Sequence, residues 1–271
     1  MRTDDDFADE GQPMNRLEND VVIITGAGQG VGREMAQLFA SEGARLVLAG
    51  RRREPLEETA SLIDGESLVV PTDITIENDV EEMVAQTVAR FGQVDVLINN
   101  AAQPGADRYI WEQTLENWNQ TIAVDVTGAM LCIREVTKQS MLDRRSGTII
   151  NFSSGAGWRG MPRKSHYSTA KAALFTLTKV AQELGPYGIR VNCIVPGGIE
   201  TDLYVNWVRR IATEEGRNYD EKAAELASGT ALGRVTTPLE QARVALFLAS
   251  DESSAITGQS IAVDAGSHMG G

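Results

Sequence analysis

The 271-residue chain is short of cysteine, of long apolar runs and of basic runs, and each shortage removes a class of protein. Two thiols, Cys132 and Cys193, are too few for a disulfide framework; both lie in stretches that read as buried, and a reducing cytoplasm fits them. The longest aliphatic stretches, such as 21–24, fall far below the roughly 20 apolar residues a bilayer span requires, so a soluble chain with no membrane partner is expected. A formal charge of −13 without a basic run repels a phosphate backbone and excludes nucleic acid as a partner. That acidity reads as a solvated surface. Residues 1–15 carry no apolar core or cleavage pattern, and Asp4, Asp5 and Asp6 are unlike any secretory signal. The expectation is a flexible tail over 1–17 and one domain over 18–271, since no linker divides the rest. No metal site is expected.

What is present is alternation. Apolar, β-rich runs at 20–25, 45–50, 67–72, 94–99, 147–153, 189–195 and 259–263 are separated by helix-period segments at 30–42, 55–63, 77–91, 116–141, 166–185 and 238–250. Strands that are apolar almost throughout, with helices between them, predict an α/β fold: a doubly wound, seven-stranded parallel sheet covered on both faces. The stretch 201–233 has no strand pattern. A connection that long in an α/β domain predicts a lid over a substrate site.

The first strand runs into Thr25-Gly26-Ala27-Gly28-Gln29-Gly30-Val31-Gly32 and then a helix. Glycines there allow a tight turn and close approach of a pyrophosphate, while the new helix offers free N–H groups and the positive end of its dipole. The second strand ends Gly50-Arg51, where dinucleotide folds that take NAD usually place an acid for the ribose hydroxyls. Without that acid, and with Arg51 able to pair with a 2′-phosphate, NADP(H) is favoured over NAD(H).

Further along, Ser154 follows the fifth strand, and Tyr167 and Lys171 lie four residues apart on one helical face. A phenol is a poor base at neutral pH, but an adjacent ammonium favours the phenolate, which can exchange a proton with a substrate oxygen while hydride moves. Ser154 would hold that same oxygen.

Taken in order, TGAGQGVG, PTDIT, NNAA, NFSS, YSTAK and RVNCIVPGGIET resemble the short-chain dehydrogenase/reductase family over about residues 19–269, in particular its 3-oxoacyl-carrier-protein reductases and its sugar and alcohol dehydrogenases. The resemblance implies a Rossmann fold and an oxidoreductase acting on a secondary alcohol or ketone. It implies that Gly26, Gly28, Gln29, Gly30, Val31 and Gly32 form the pyrophosphate loop and that Arg51 reads the adenosine ribose or its phosphate. Asp73 and Ile74 then fall beside the adenine, and Asn100 and Ala101 along the cofactor cleft. Pro196, Gly197, Ile199 and Thr201 fall against the nicotinamide carboxamide. Tyr167 is implied as acid/base, Ser154 as its oxyanion partner, and Lys171 as the residue that holds the nicotinamide ribose and depresses the tyrosine pKa. A homotetramer is implied as well. Three positions depart from the pattern: NNAG is NNAA here, the basic residue of many NADP-binding loops is Gln29, and the relay asparagine is Asp125. A carboxylate at 125 is expected to accept relay hydrogen bonds but also to pair with Lys171 and offset its field on Tyr167.

Gln103, Ala156, Trp158, Met161, Gly198, Tyr204 and Trp207 are expected to line the substrate pocket. The cluster Arg159, Arg163, Lys164 and His166 raises an anionic substrate as one expectation, with rim charges or subunit contacts as the rival. Two other readings use the same fold: an epimerase or dehydratase using nicotinamide transiently, and a non-catalytic dinucleotide-binding regulator. Extended epimerases usually carry a longer C-terminal domain, and a regulator need not keep Ser154, Tyr167 and Lys171 together.

Overall fold

Strand β1 (Val21–Thr25) is buried at every position because both its faces are covered. Val22 and Ile24 pack with Met35, Phe39 and Leu246 on one side, while Val21 and Ile23 pack with Val80, Met83 and Val136 on the other. The two-residue period of a strand thus divides β1 between two hydrophobic layers. The same holds across β2 (Arg45–Gly50), β3 (Ser67–Pro71), β4 (Val96–Asn99), β5 (Gly147–Phe152) and β6 (Ile189–Pro196), whereas the edge strand β7 (Ser260–Val263) turns Ile261 and Val263 to the first layer only and leaves Ala262 exposed. These seven strands form one parallel sheet in the order β3-β2-β1-β4-β5-β6-β7. The structure is a computed structural model and describes residues 15–268.

Parallel neighbours need crossovers, and helices supply them. Helices Gly30–Ser41 and Pro238–Ala249 cover one face; Glu77–Phe91 and the long helix after β4 cover the other. The strand order reverses between β1 and β4. Chains leaving their carboxyl ends diverge there and open the crevice in which doubly wound sheets bind ligands.

The expected helix 116–141 is a continuous rod over 115–144, α-helical at Leu115–Ile122, Ala129–Val136 and Leu142–Arg144 and widened to i→i+5 turns at Ala123–Gly128 and Thr137–Met141. The expected helix 166–185 divides into Ser165–Thr178 and Ala181–Leu184. The proposed lid contains two helices, Asp202–Glu214 and Tyr219–Ser228. Of the expected tail, residues 1–14 lie outside the described residues. Its last two belong to the fold instead: Leu17 is fully buried, and the Arg16 guanidinium pairs with Glu42 at 2.5 Å. Among the described residues no helix is long and apolar enough to cross a membrane.

Candidate active site

The glycine turn is held from beneath by two residues at the crevice floor. Thr25 Oγ1 donates to the Ile98 carbonyl (3.1 Å) and accepts from the backbone N–H of Asn100 (3.0 Å) and of Ala101 (3.1 Å). Asn100 Nδ2 in turn donates to the carbonyls of Thr25 (3.0 Å) and Gly26 (3.3 Å). Gly26 has φ +69°, and a Cβ at Gly32 would collide with the Gly26 carbonyl oxygen and lie 2.8 Å from Asn100 Nδ2. Only a residue without a side chain fits such a conformation and approach. Helix Gly30–Ser41 begins with no side-chain cap and no acid in its first turn, so its N–H groups and dipole face the crevice uncompensated. The loop Gly26 to Gly32, with Gln29, Gly30 and Val31 at the helix start, therefore fits a dinucleotide pyrophosphate. Arg51, exposed just beyond β2, has no ionic partner among the described residues.

The reacting cluster stands on the other side of the crevice. Lys171 and Asp125 are both buried, and Lys171 Nζ lies 3.1 Å from Asp125 Oδ2. That contact is an ion pair whose alignment makes no hydrogen bond at Oδ2; Nζ donates instead to the Phe152 carbonyl at 3.0 Å. Burial disfavours the ammonium, but the charge of Asp125 and the neighbouring Tyr167 oxygen more than offset it, so Lys171 holds its proton above the usual lysine range. Asp125 Oδ1 accepts from the Gln103 backbone N–H at 2.6 Å. Lys171 Nζ sits 5.6 Å from the centre of the Tyr167 ring. Ser154 follows β5, and its Oγ accepts from the Ala156 N–H at 3.2 Å. Asp125 occupies the widened turn Ala123–Gly128, a local unwinding that recurs at functional sites.

Other anticipated residues lie around this core. Thr201 caps helix Asp202–Glu214, accepting from the Tyr204 N–H at 3.3 Å, and its methyl stands 3.6 Å from where a Cβ of Gly30 would be. Pro196 ends β6, Gly197 lies tightly against Asp264, and Ile199 bridges to Thr236. The Asp73 carboxylate accepts from the backbone and hydroxyl of Thr75 at 3.0 and 2.7 Å, and the buried Ile74 side chain lies against Gly128. Of the pocket residues, Tyr204 lies over Gly198 and tilts against Trp207, ring centres 5.8 Å apart. Trp158 stacks on Phe175 and meets the His268 ring edge-on.

Of the four basic residues before Tyr167, three are engaged by other parts of the protein. Arg163 pairs with Glu214 at 2.7 Å and Lys164 with Asp107 at 2.9 Å. His166 is fully buried between the Pro104 carbonyl (3.0 Å) and Gln113 (2.7 Å). Arg159 alone is exposed without an ionic partner among the described residues. Sequence reasoning also passed over Thr59, whose hydroxyl donates to the Ala27 carbonyl at 3.0 Å, and Arg33, which donates to the Gly28 carbonyl at 2.7 Å. Both shape the glycine turn from residues with no motif of their own, whereas Thr25 stood in the motif as its first letter.

A family model described as enoyl-(acyl carrier protein) reductase matches residues 26–268. Among curated proteins, the 2,5-dichloro-2,5-cyclohexadiene-1,4-diol dehydrogenase of Sphingobium indicum is 35% identical over 254 residues, covering 93% of this chain and 98% of its own. The meso-2,3-butanediol dehydrogenase of Serratia marcescens is 34% identical, covering 93% and 95%. Among solved structures, NAD+-bound xylitol dehydrogenase superposes with a TM-score of 0.87 at 30% identity, covering 91% of this chain and 98% of that one. The chain belongs to the short-chain dehydrogenase/reductase family. It is an oxidoreductase, a short-chain alcohol dehydrogenase or ketoreductase that uses a nicotinamide cofactor on small alcohol or carbonyl substrates.

Proposed function

We propose that this short-chain dehydrogenase/reductase interconverts a neutral secondary alcohol and its ketone with NADP(H) as the preferred cofactor, Tyr167 being the acid/base. The observation that carries the reading is the stretch 99–103. Asn100 holds the glycine turn and Gln103, three residues on, holds the Asp125 carboxylate, so the cofactor cradle and the buried charges beside Tyr167 share one wall.

Gly26 to Gly32 would hold the pyrophosphate, Arg51 the 2′-phosphate, Asp73 and Ile74 the adenine edge, and Pro196, Gly197, Ile199 and Thr201 the nicotinamide end. Bound there, the cofactor supplies or accepts the hydride. Tyr167 gives its phenolic proton to the substrate oxygen in reduction and takes it back in oxidation. The Ser154 hydroxyl steadies charge on that oxygen. Lys171, kept charged by Asp125, sets a positive charge beside Tyr167 and also holds the nicotinamide ribose. The engagement of Arg163, Lys164 and His166 elsewhere favours a neutral substrate, Arg159 alone of the cluster having no ionic partner among the described residues. Family likeness adds a homotetramer in the cytoplasm, with a mass four times the 29.3 kDa chain.

Titration with NADPH and NADH, followed by a screen of secondary alcohols and ketones with the tighter cofactor, tests the reading. Tyr167→Phe is expected to bind cofactor as wild type does and to lose about 10²- to 10⁴-fold in turnover. Arg51→Ala is expected to weaken NADPH about tenfold or more and to leave NADH unchanged. Equal loss for both cofactors would refute the phosphate assignment, and full turnover by the phenylalanine variant would refute the acid/base.

A further inference from the structure

Three segments that meet near Tyr167 are joined by one half-buried network of charge. The first is the loop between β4 and residue 115, which carries Asp107; the second is 160–165, entering the Tyr167 helix; the third is helix Asp202–Glu214 of the lid. The two oxygens of Asp107 are divided between the other segments: Oδ1 meets Lys164 Nζ at 2.9 Å, and Oδ2 accepts from the Arg210 guanidinium. Arg210 also reaches Glu214 at 3.1 Å, and Glu214 reaches Arg163 at 2.7 Å, closing the circuit back to the second segment. Backbone hydrogen bonding reinforces it: Arg108 N–H donates to the Arg163 carbonyl at 2.8 Å, and Arg108 and Lys164 form an isolated parallel bridge. Arg163 itself takes φ +65°, a left-handed conformation unfavourable to a side-chain-bearing residue that the surrounding contacts must hold in place.

The side chains of Asp107 and Lys164 are only 10% and 12% exposed, so neither charge is fully solvated. Burial works against the Asp107 carboxylate, but hydrogen bonds from Arg210 and Lys164 prevail and hold its pKa below the usual range. Lys164 Nζ, moreover, lies 5.6 Å from the centre of the Tyr167 ring, as Lys171 Nζ does.

We propose that Asp107 is a positioning residue that latches the lid helix Asp202–Glu214 across the substrate pocket with one oxygen and holds Lys164 against the Tyr167 ring with the other. Lys164 pre-orients the carboxylate. When the lid closes, Arg210 therefore meets an acceptor that is already fixed and already partly desolvated, and less ordering entropy opposes closure. The lid is drawn over the pocket by charge rather than by substrate contacts alone, and its closure is joined to the element bearing Tyr167.

This inference rests on the proposed role of Tyr167 only for its kinetic consequence, so the experiment has one arm that needs no activity. Hydrogen–deuterium exchange of the full-length apo protein should show the amides of 202–214 exchanging severalfold faster in Asp107→Asn and Arg210→Ala than in wild type, with the amides of β4 and β5 unchanged. Wild type in 1 M salt, where screening acts within about 3 Å, should move toward the variants. In steady-state kinetics Arg210→Ala should raise KM for the alcohol or ketone about three- to tenfold with kcat unchanged or higher, and Arg210→Lys should recover most of the loss. Asp107→Asn should raise KM at least as far. Lid protection equal to wild type in both variants would overturn the latch, whether or not a substrate has been found. Lost protection with unchanged KM would overturn its role in substrate binding while leaving the Tyr167 assignment to its own test.

Discussion

Asp125 and Lys171 concentrate the unusual chemistry of this chain in one contact. Two opposite charges held at 3.1 Å in a buried site are each expensive to strand, and removing one partner of such a pair typically costs about 3–5 kcal/mol. Asp125→Asn keeps an oxygen for the Gln103 N–H but deletes the charge, so a loss of about 3 kcal/mol, at the low end of that range, is expected in denaturant unfolding at pH 7. The sign with pH follows from Lys171. Its folded form holds the proton more tightly than an unfolded lysine does, so the stabilisation is complete below the ordinary lysine range and is lost as pH rises through the raised value. The difference between wild type and variant should therefore be flat from neutral pH to about 9 and shrink above it. Kinetically, Asp125→Asn changes the net charge beside Tyr167 and should displace the pH profile of kcat/KM; a superimposable profile would show that the carboxylate does not act on Tyr167. Much of this cluster was legible in the letters, because Tyr167 and Lys171 are separated by one helical turn and Asp125 stands where a relay residue is expected. Asp107 was not legible. Its partner Arg210 is 103 residues away, and only the folded chain shows that Lys164 and Arg163 are engaged by Asp107 and Glu214.

At the scale of elements, legibility followed local physics. Helix Glu77–Phe91 was readable to the residue because the sharp left-handed cap at Gly92 ends it, and Pro238–Ala249 nearly so because the reciprocal Thr237 and Glu240 hydrogen bonds begin it. The widened turns within 115–144 were not readable, since a change from i→i+4 to i→i+5 leaves the apolar stripe almost intact while rotating the residues beyond it. The four-residue turn Ala156–Arg159 is too short to have a period. The strand-turn-helix element of the glycine loop was fully readable, and it makes a sharp prediction. Gly32→Ala places a methyl against the Gly26 carbonyl and the Asn100 amide that holds it, so the turn must open. Circular dichroism should remain that of the wild type, whereas dinucleotide affinity should fall at least tenfold for NADPH and NADH alike. Unchanged affinity would mean that the turn does not carry the pyrophosphate.

For the whole molecule the relevant quantity is an excess of negative charge, −13 over the chain, part of which is buried where folding must oppose it. Asp20 enters β1 beside Asp95 and Asp251. Burial and those two carboxylates push its pKa up to about 6, against the weaker pull of Arg144 and Arg45. The neighbouring Asp95 is compensated, accepting from the Val21 N–H at 2.8 Å and pairing with Arg144 at 2.5 Å, whereas Asp20 gains no such partner among the described residues. A carboxyl whose folded pKa exceeds its unfolded value is bound to its proton more firmly in the native state. Stability then declines as pH rises from about 4 through about 6, and above that the ionised Asp20 opposes folding. Asp20→Asn supplies the neutral form at every pH. It should raise Tm at pH 7, at about 2–4 °C for each kcal/mol relieved, and the gain should be mostly lost by about pH 4 and vanish near pH 3, where the wild-type carboxyl is protonated in both states. A Tm difference that is the same at pH 4 and pH 7 would place the effect in packing rather than charge, and a lower Tm at pH 7 would mean that the Asp20 carboxylate is stabilised by Arg45 and Arg144 more than its acidic neighbours oppose it.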